Sequence, residues 1–378
     1  MEALLLLLLF PLAWPFIAKR IWHTTINWQE MGLNIVIIVL LAAGVWQLGK
    51  YGQTADTEIW NGRVVSKERV HGHYLRSYDC NCHEVCSGSG DNRSCSTECD
   101  TCYEDRYTVK WSAKTTVGNV TFDTKDSPWI SVYLSPDPPA YARCVKGEPA
   151  SIEHGFVNYV KAVPESLFRQ DGAENVFADK VPPYPRVRDF YRINRVLEVG
   201  LQLPPTLYAT LNDGLSQELA TLGHEKQVNI ILIVTAIGDP SYRHAVENAW
   251  LGGKKNDAVI FIGVDTVSRR IVWADAMTWA LGTGNELLNV KMRDGLEAIG
   301  TLDPERIVPF VSTTIAAHYT RPHMEDFEYL ADAVEPPLWV MIIAVIIAIG
   351  GSIALTVVFH HIEVDFFGGR GSSRRRKW

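Results

Sequence analysis

Six of the seven cysteines fall close together, as Cys80, Cys82, Cys86, Cys95, Cys99 and Cys102, while Cys144 stands apart. Their spacing, C-x-C-x3-C-x8-C-x3-C-x2-C, admits two kinds of chemistry. In an oxidising compartment clustered cysteines pair as disulfides, and six of them allow about fifteen pairings that spacing does not choose among. The rival is zinc. Cys99-x2-Cys102 has a ligand separation, Cys80-x-Cys82 could supply the other half, and His71, His73 and His83 lie nearby. A redox-active Cys99/Cys102 pair would need a thioredoxin-like strand before it, and none precedes it. The stretch has Ser87-Gly88-Ser89-Gly90 at its tip and few large apolar residues. It reads as a loop over 78–105 that needs cross-links because it cannot bury a core.

Carboxylates form the second candidate set. Asp257, Asp265 and Asp275 lie in a strand-rich region, with Asp239, Asp265 and Asp275 near predicted strand ends. Open α/β sheets bind ligands beyond the carboxyl ends of their strands, and grouped carboxylates can hold Ca²⁺ or Mg²⁺. Turn aspartates also cap loops and helices without any ion. No Gly-x-Ser-x-Gly, His-Glu-x-x-His or dinucleotide fingerprint occurs, and the glycines of "LGTGNELL" lack P-loop spacing, so no catalytic residue is assigned.

Sidedness decides the cysteine chemistry. Leu338–Phe359 is a 22-residue run without charge, about the 20 residues a bilayer core needs, and Trp339 suits an interfacial anchor. Leu33–Leu48 is a second apolar run. Ala3–Ala18 is a third, broken by Pro11 and Pro15; it lacks the basic start of a signal peptide and is expected to remain as a span. Lys19 and Arg20 follow that run, and Arg370, Arg374, Arg375, Arg376 and Lys377 follow the last one. Basic flanks stay cytoplasmic. Residues 50–336 are then extracytoplasmic, in a multi-pass protein of a bacterial inner (plasma) membrane with its C-terminus inside. The outward region carries 29 Lys and Arg against 39 Asp and Glu, a net charge of −10, which argues against a nucleic-acid partner.

The remaining pattern divides the outward region. Alternating Tyr107, Val109, Trp111 and Ala113 predict one strand, with Glu58–Leu75 another and Gly118-Asn119 a turn. Residues 50–150 thus read as a small antiparallel β domain carrying the cysteine loop, and 151–199 as a linker or second layer. From Leu201 the pattern changes. Leu207, Leu211, Leu215 and Leu219 mark a helix after Pro204-Pro205; "VNIILIVTAI" and "DAVIFIGVD" read as buried strands, and "RRIVWADAM" as a third. Pro240–Leu251 and Glu286–Ile299 are predicted helices, and Asp303-Pro304 starts another with Asp as N-cap. Residues 200–332 therefore form an α/β/α sandwich. The segments 1–49, 338–359 and 360–378 complete the chain as an N-terminal membrane hairpin, a transmembrane helix and a basic tail.

The succession "VNIILIVTAI", helix, "GGKKNDAVIFIGVD", "RRIVWADAMTWALG" resembles the TPM domain found in membrane-tethered bacterial proteins. Asp257 sits where that family has a turn aspartate, and Asp275 where it has an acidic strand end. "WADAMTWALGTGN" departs from the family's Gly-Tyr-Gly-like ending. The resemblance implies divalent-cation binding and phosphatase activity at these aspartates. The chain as a whole, a bacterial or phage envelope protein by its layout, is expected to be a membrane-anchored assembly or binding protein. Membrane lipid surrounds it, a homo-oligomer is its expected state, and another envelope protein is its expected partner. A metal-dependent phosphatase is the alternative.

Overall fold

The computed structural model describes residues 2–21, 28–87, 94–163, 176–279 and 284–361. The basic run with Arg374, Arg375 and Arg376 lies outside them, as does most of "LGTG". In chain order the elements begin with α1 (Glu2–Ile21), α2 (Trp28–Thr54), β1 (Ala55–Ser87), β2 (Ser94–Thr115), β3 (Gly118–Ser127) and α3 (Pro139–Arg143). There follow β4 (Pro149–Val157), α4 (Tyr159–Ala162), β5 (Val196–Val199), α5 (Pro205–Lys226), β6 (Asn229–Thr235) and α6 (Tyr242–Ala249). The chain continues through β7 (Asp257–Val264), β8 (Ile271–Thr278), α7 (Glu286–Ile299), α8 (Pro304–His318), α9 (Leu338–Ile346) and α10 (Ser352–His361). Contacts divide it into two units. One comprises Met1–Asp56, Gly155–Leu167 and His323–Trp378, the other Thr57–His154 and Phe168–Pro322.

The first unit is built on apolar helices. Two stretches, Trp28–Thr54 and Leu338–Phe359, are long and apolar enough to cross a membrane. On α2 the buried residues Met31, Asn34, Ile38, Ala42, Trp46 and Gly49 recur every three or four positions, which is one helix face. Val36, Leu40 and Leu41 on its other faces are exposed. Glycines let the helices approach closely: a Cβ on Gly49 would lie 2.6 Å from Val340, and one on Gly351 2.7 Å from Ile38. The C-terminal run is not one regular helix, because a π turn at Ile347–Gly351 joins α9 to α10. The proline-broken first segment is helical too, and α1 packs against α2 and α10.

A polar knot ties these helices. Asn34 Nδ2 donates to the Ser352 carbonyl (3.0 Å) and to Thr356 Oγ1 (3.1 Å), and Trp14 Nε1 donates to the same hydroxyl (3.1 Å). Hydrogen bonds between helices in lipid contribute about 0.6–2 kcal/mol. Asn34→Leu is expected to weaken helix association by that order. Steric trapping in bicelles would measure it, and an unchanged association would remove the knot's structural role.

The second unit holds two four-stranded sheets. The first runs β3-β2-β1-β4, with β1/β2 and β2/β3 antiparallel. The alternation read in the sequence puts Val109, Trp111 and Ala113 into its core with Val64, Val120 and Phe122. The turn differs from expectation. It falls at Thr116-Val117, since Thr115 pairs with Gly118 and the Thr115 hydroxyl accepts from Val117 N and donates to the Gly118 carbonyl. The apolar run after Trp129 is a 3₁₀ turn, Ile130–Leu134.

The second sheet runs β5-β6-β7-β8, parallel except for β8. Both β6 and β7 are wholly buried, as continuous apolar runs require. Ile230, Leu232, Val234 and Ile260 pack with Leu215 and Leu219 of α5, Met292 of α7 and Val311 of α8. Ile231, Ile233, Val259 and Phe261 point the other way, onto Tyr242, Ala245 and Val246 of α6. Asp303 caps α8 by accepting from Glu305 N.

Candidate functional site

The cysteines do not sit in a loop. They line the two strands of a long hairpin, because β1 extends to Ser87 and β2 begins at Ser94. β3 stops opposite Tyr107, so from Tyr74↔Arg106 to Ser87↔Ser94 the hairpin runs on as an arm without it. At about 3.3 Å per residue this arm is roughly 40 Å long. None of its described side chains is buried. The low apolar content that reads as a loop also suits a ribbon wet on both faces.

Such a ribbon is marginally stable in water. Here the sulphurs pair as Cys80–Cys102, Cys82–Cys99 and Cys86–Cys95, at spacings that tie the ribbon along its length. Cys86 and Cys95 face each other directly in the register. Cys82 and Cys99 meet where the register shifts between Cys80 and His83, and Asn81 there takes φ +48°, a conformation asparagine tolerates. The histidines are engaged elsewhere. His73 Nε2 lies 2.8 Å from Asp105, His71 stacks on Tyr133, and His83 lies against the Asn81 carbonyl. Among the described residues the single group close enough to share an ion is Glu84 with Cys86 and Cys95, whose sulphurs are bonded to each other.

The arm is anchored and charged. At its root Tyr74 and Arg106 both bind Asp126 of β3, and these bonds hold the Asp126 carboxyl below its usual range. Between residues 74 and 106 there are three arginines against seven acids. Leu75 (62% exposed) and Tyr103 (66%) lie on one face, since Leu75 pairs with Asp105 and Ser77 with Tyr103.

The three aspartates expected to share a cation are separated. Asp257 opens β7 and Asp265 follows its other end, about 26 Å away along the strand at 3.3 Å per residue. Asp265 accepts from Val267 N, Ser268 N and Ser268 Oγ of its own turn, which lowers its pKa, chiefly through the Ser268 backbone. Asp275 lies mid-strand in β8 opposite Phe261 and is 3.7 Å from Arg243. Asp239 accepts from Ser241 N.

Asp257 instead belongs to a buried polar seam that the sequence reading missed. It accepts from Tyr184 Oη (3.0 Å), Asn229 Nδ2 (2.8 Å) and Lys254 N (2.7 Å). Burial pushes its carboxyl up to about 6 against the pull of those donors. Asn229 relays to Arg195, whose Nη1 donates to Asn229 Oδ1 (2.8 Å) and whose Nη2 donates to Asn61 Oδ1 (2.5 Å) and Ser151 Oγ (2.8 Å). Arg195 is 1% exposed, and burial lowers its pKa to about 9, leaving it charged at neutral pH. Asn61 Nδ2 reaches the Val228 carbonyl and Asn256 Nδ2 the Ile59 carbonyl, so the seam joins β1 and β4 to the starts of β6 and β7. Gly223 permits the approach, because a Cβ there would sit 2.4 Å from Asn61 Cβ. The available signal was polar residues opening apolar strands, as in "VNIIL" and "KNDAV".

The described residues thus define a mixed α/β protein with helices able to cross a membrane and a cystine-bridged β arm. Comparison of the chain with protein-family models, curated proteins and solved structures found no match.

Proposed function

We propose that this is a membrane-anchored, outward-facing assembly or binding protein whose bridged arm is its contact surface, and that it associates with copies of itself. The arm carries the proposal. An exposed ribbon of roughly 40 Å has no core to form, yet three cystines fix its shape. A rigid ribbon loses little conformational entropy on binding, which is what preorganisation gives a contact element. Leu75 and Tyr103 supply an apolar spot on an otherwise acidic ribbon. In this reading the cysteines are cystines and not zinc ligands, the helices span a bacterial inner membrane, and Lys19, Arg20 and the C-terminal arginines stay inside. The TPM-like α/β half serves as a scaffold. The separation of Asp257 from Asp265 weighs against the phosphatase alternative.

Light scattering on the detergent-solubilised chain is expected to give a multiple of 42.4 kDa. Leu75→Ser combined with Tyr103→Ser should shift it toward the monomer. A strict monomer at every concentration would end the self-association reading.

A further inference from the structure

The membrane unit contains a groove that the assembly reading leaves unused. Its volume is about 670 Å³, within the roughly 300–1,000 Å³ of small-molecule sites. One wall is a single stripe of α2. Gly44, Gln47, Leu48 and Tyr51 follow at i, i+3, i+4 and i+7, ending near Thr54. The other wall is Val157, Ala331 and Val334, with Tyr159 beside them.

The place of the groove identifies its occupant. It follows the last turns of a helix long and apolar enough to cross a membrane, at the point where the chain leaves for β1. Tyrosines lie at the headgroup level of membrane proteins, apolar ring inward and hydroxyl outward, as Tyr51 and Tyr159 could here. The lining is apolar along Gly44, Leu48 and Val334 and polar toward Lys50. Lys50 has no hydrogen-bond or ion-pair partner among the described residues. A groove lined in part by Gly44, Leu48, Val157, Ala331 and Val334, with a cation that is unpaired among the described residues on its lining, matches an acyl chain below an anionic headgroup. We infer that the groove formed by α2, Val157, Tyr159 and Val334 is a binding site for an anionic phospholipid, its phosphate against Lys50 and an acyl chain along Gly44 and Leu48. This rests on the membrane reading of α2.

The test uses the full chain in phosphatidylcholine vesicles containing phosphatidylglycerol with a photoactivatable acyl chain. Labelled peptides are located by mass spectrometry, and co-flotation of protein with vesicles is scored separately. Label is expected to concentrate on residues 44–54. Gly44→Phe should abolish it; a Cβ at Gly44 meets nothing within 4 Å, so the ring has room in the groove. Lys50→Gln should cut phosphatidylglycerol labelling about fivefold, the worth of one lysine at an anionic surface. It should leave a matched phosphatidylcholine probe unaffected. A chain that fails to float overturns the membrane reading and the site with it. A chain that floats but is labelled equally at Val36, Leu40 and Leu41 overturns the site alone. Equal labelling by both probes in the unaltered chain overturns it as well.

Discussion

Replacing Arg195 with alanine is expected to lower the stability of the two-sheet unit by about 3–5 kcal/mol, the cost of breaking a buried charged network. The guanidinium satisfies Asn61, Ser151 and Asn229 at once, and through Asn229 it balances Asp257. Its loss strands buried acceptors and leaves Asp257 with Lys254 as the cation that still acts on its carboxylate. For a unit of this size a melting temperature lower by about 10 °C is the readout. A melt within a degree of the unaltered protein would show that the seam is not structural. The seam also sets a pH dependence with a definite sign. Asp257 titrates near 6 in the folded chain, above its ordinary carboxylate value. Between those two values the native state holds more protons than the unfolded state, so stability falls as pH rises through that window and the full cost is present above it. Asp257→Asn should flatten that slope, measured as unfolding free energy against pH.

Reduction should melt the arm and spare the sheets. The cystines close chain segments with sequence separations of 22, 17 and 9 residues, and each closure is worth about 3 kcal/mol in the chain-entropy account. Without them the two strands of the arm have cross-strand hydrogen bonds alone to hold them and no core behind them, too little for a two-stranded ribbon in water. Hydrogen exchange there is expected to approach that of an open chain after reduction, while β6 and β7 keep their protection. Alkylation of the denatured, unreduced chain should modify one cysteine, Cys144, and reduction should raise the number to seven. Seven reactive thiols without reductant, or an arm that melts on chelation, would point to zinc.

Much of the scaffold was legible because its signals are local. Continuous apolar runs gave β6 and β7, alternation gave the buried face of β2, and Asp303-Pro304 gave the start of α8. The cysteine region reads as a loop because strand recognition leans on buried side chains, and the described residues of this ribbon bury none. Asp257 reads as a strand start, so sharing an ion with Asp265 and Asp275 needs the fold to bring it round; β7 instead keeps Asp257 and Asp265 at opposite ends, and Asp275 lies mid-strand opposite Phe261. The seam was illegible for a different reason. Asn61, Ser151, Arg195, Asn229 and Asp257 are scattered along nearly two hundred residues, and only the packing of two sheets brings them together. Each alone is an ordinary polar residue within a strand or, for Arg195, just before one.

The unit built on the apolar helices is assembled from the beginning, middle and end of the chain. Gly49 of α2 cannot meet Val340 of α9 until roughly 290 further residues have been made. At about 5–20 residues per second that delay is on the order of 15 s to a minute. During it most of the β-rich unit, with the six clustered cysteines, is already made, and thiol pairing takes seconds or longer. Biogenesis therefore has an order written into the connectivity: the β-rich unit can mature first, and the unit built on apolar helices closes last.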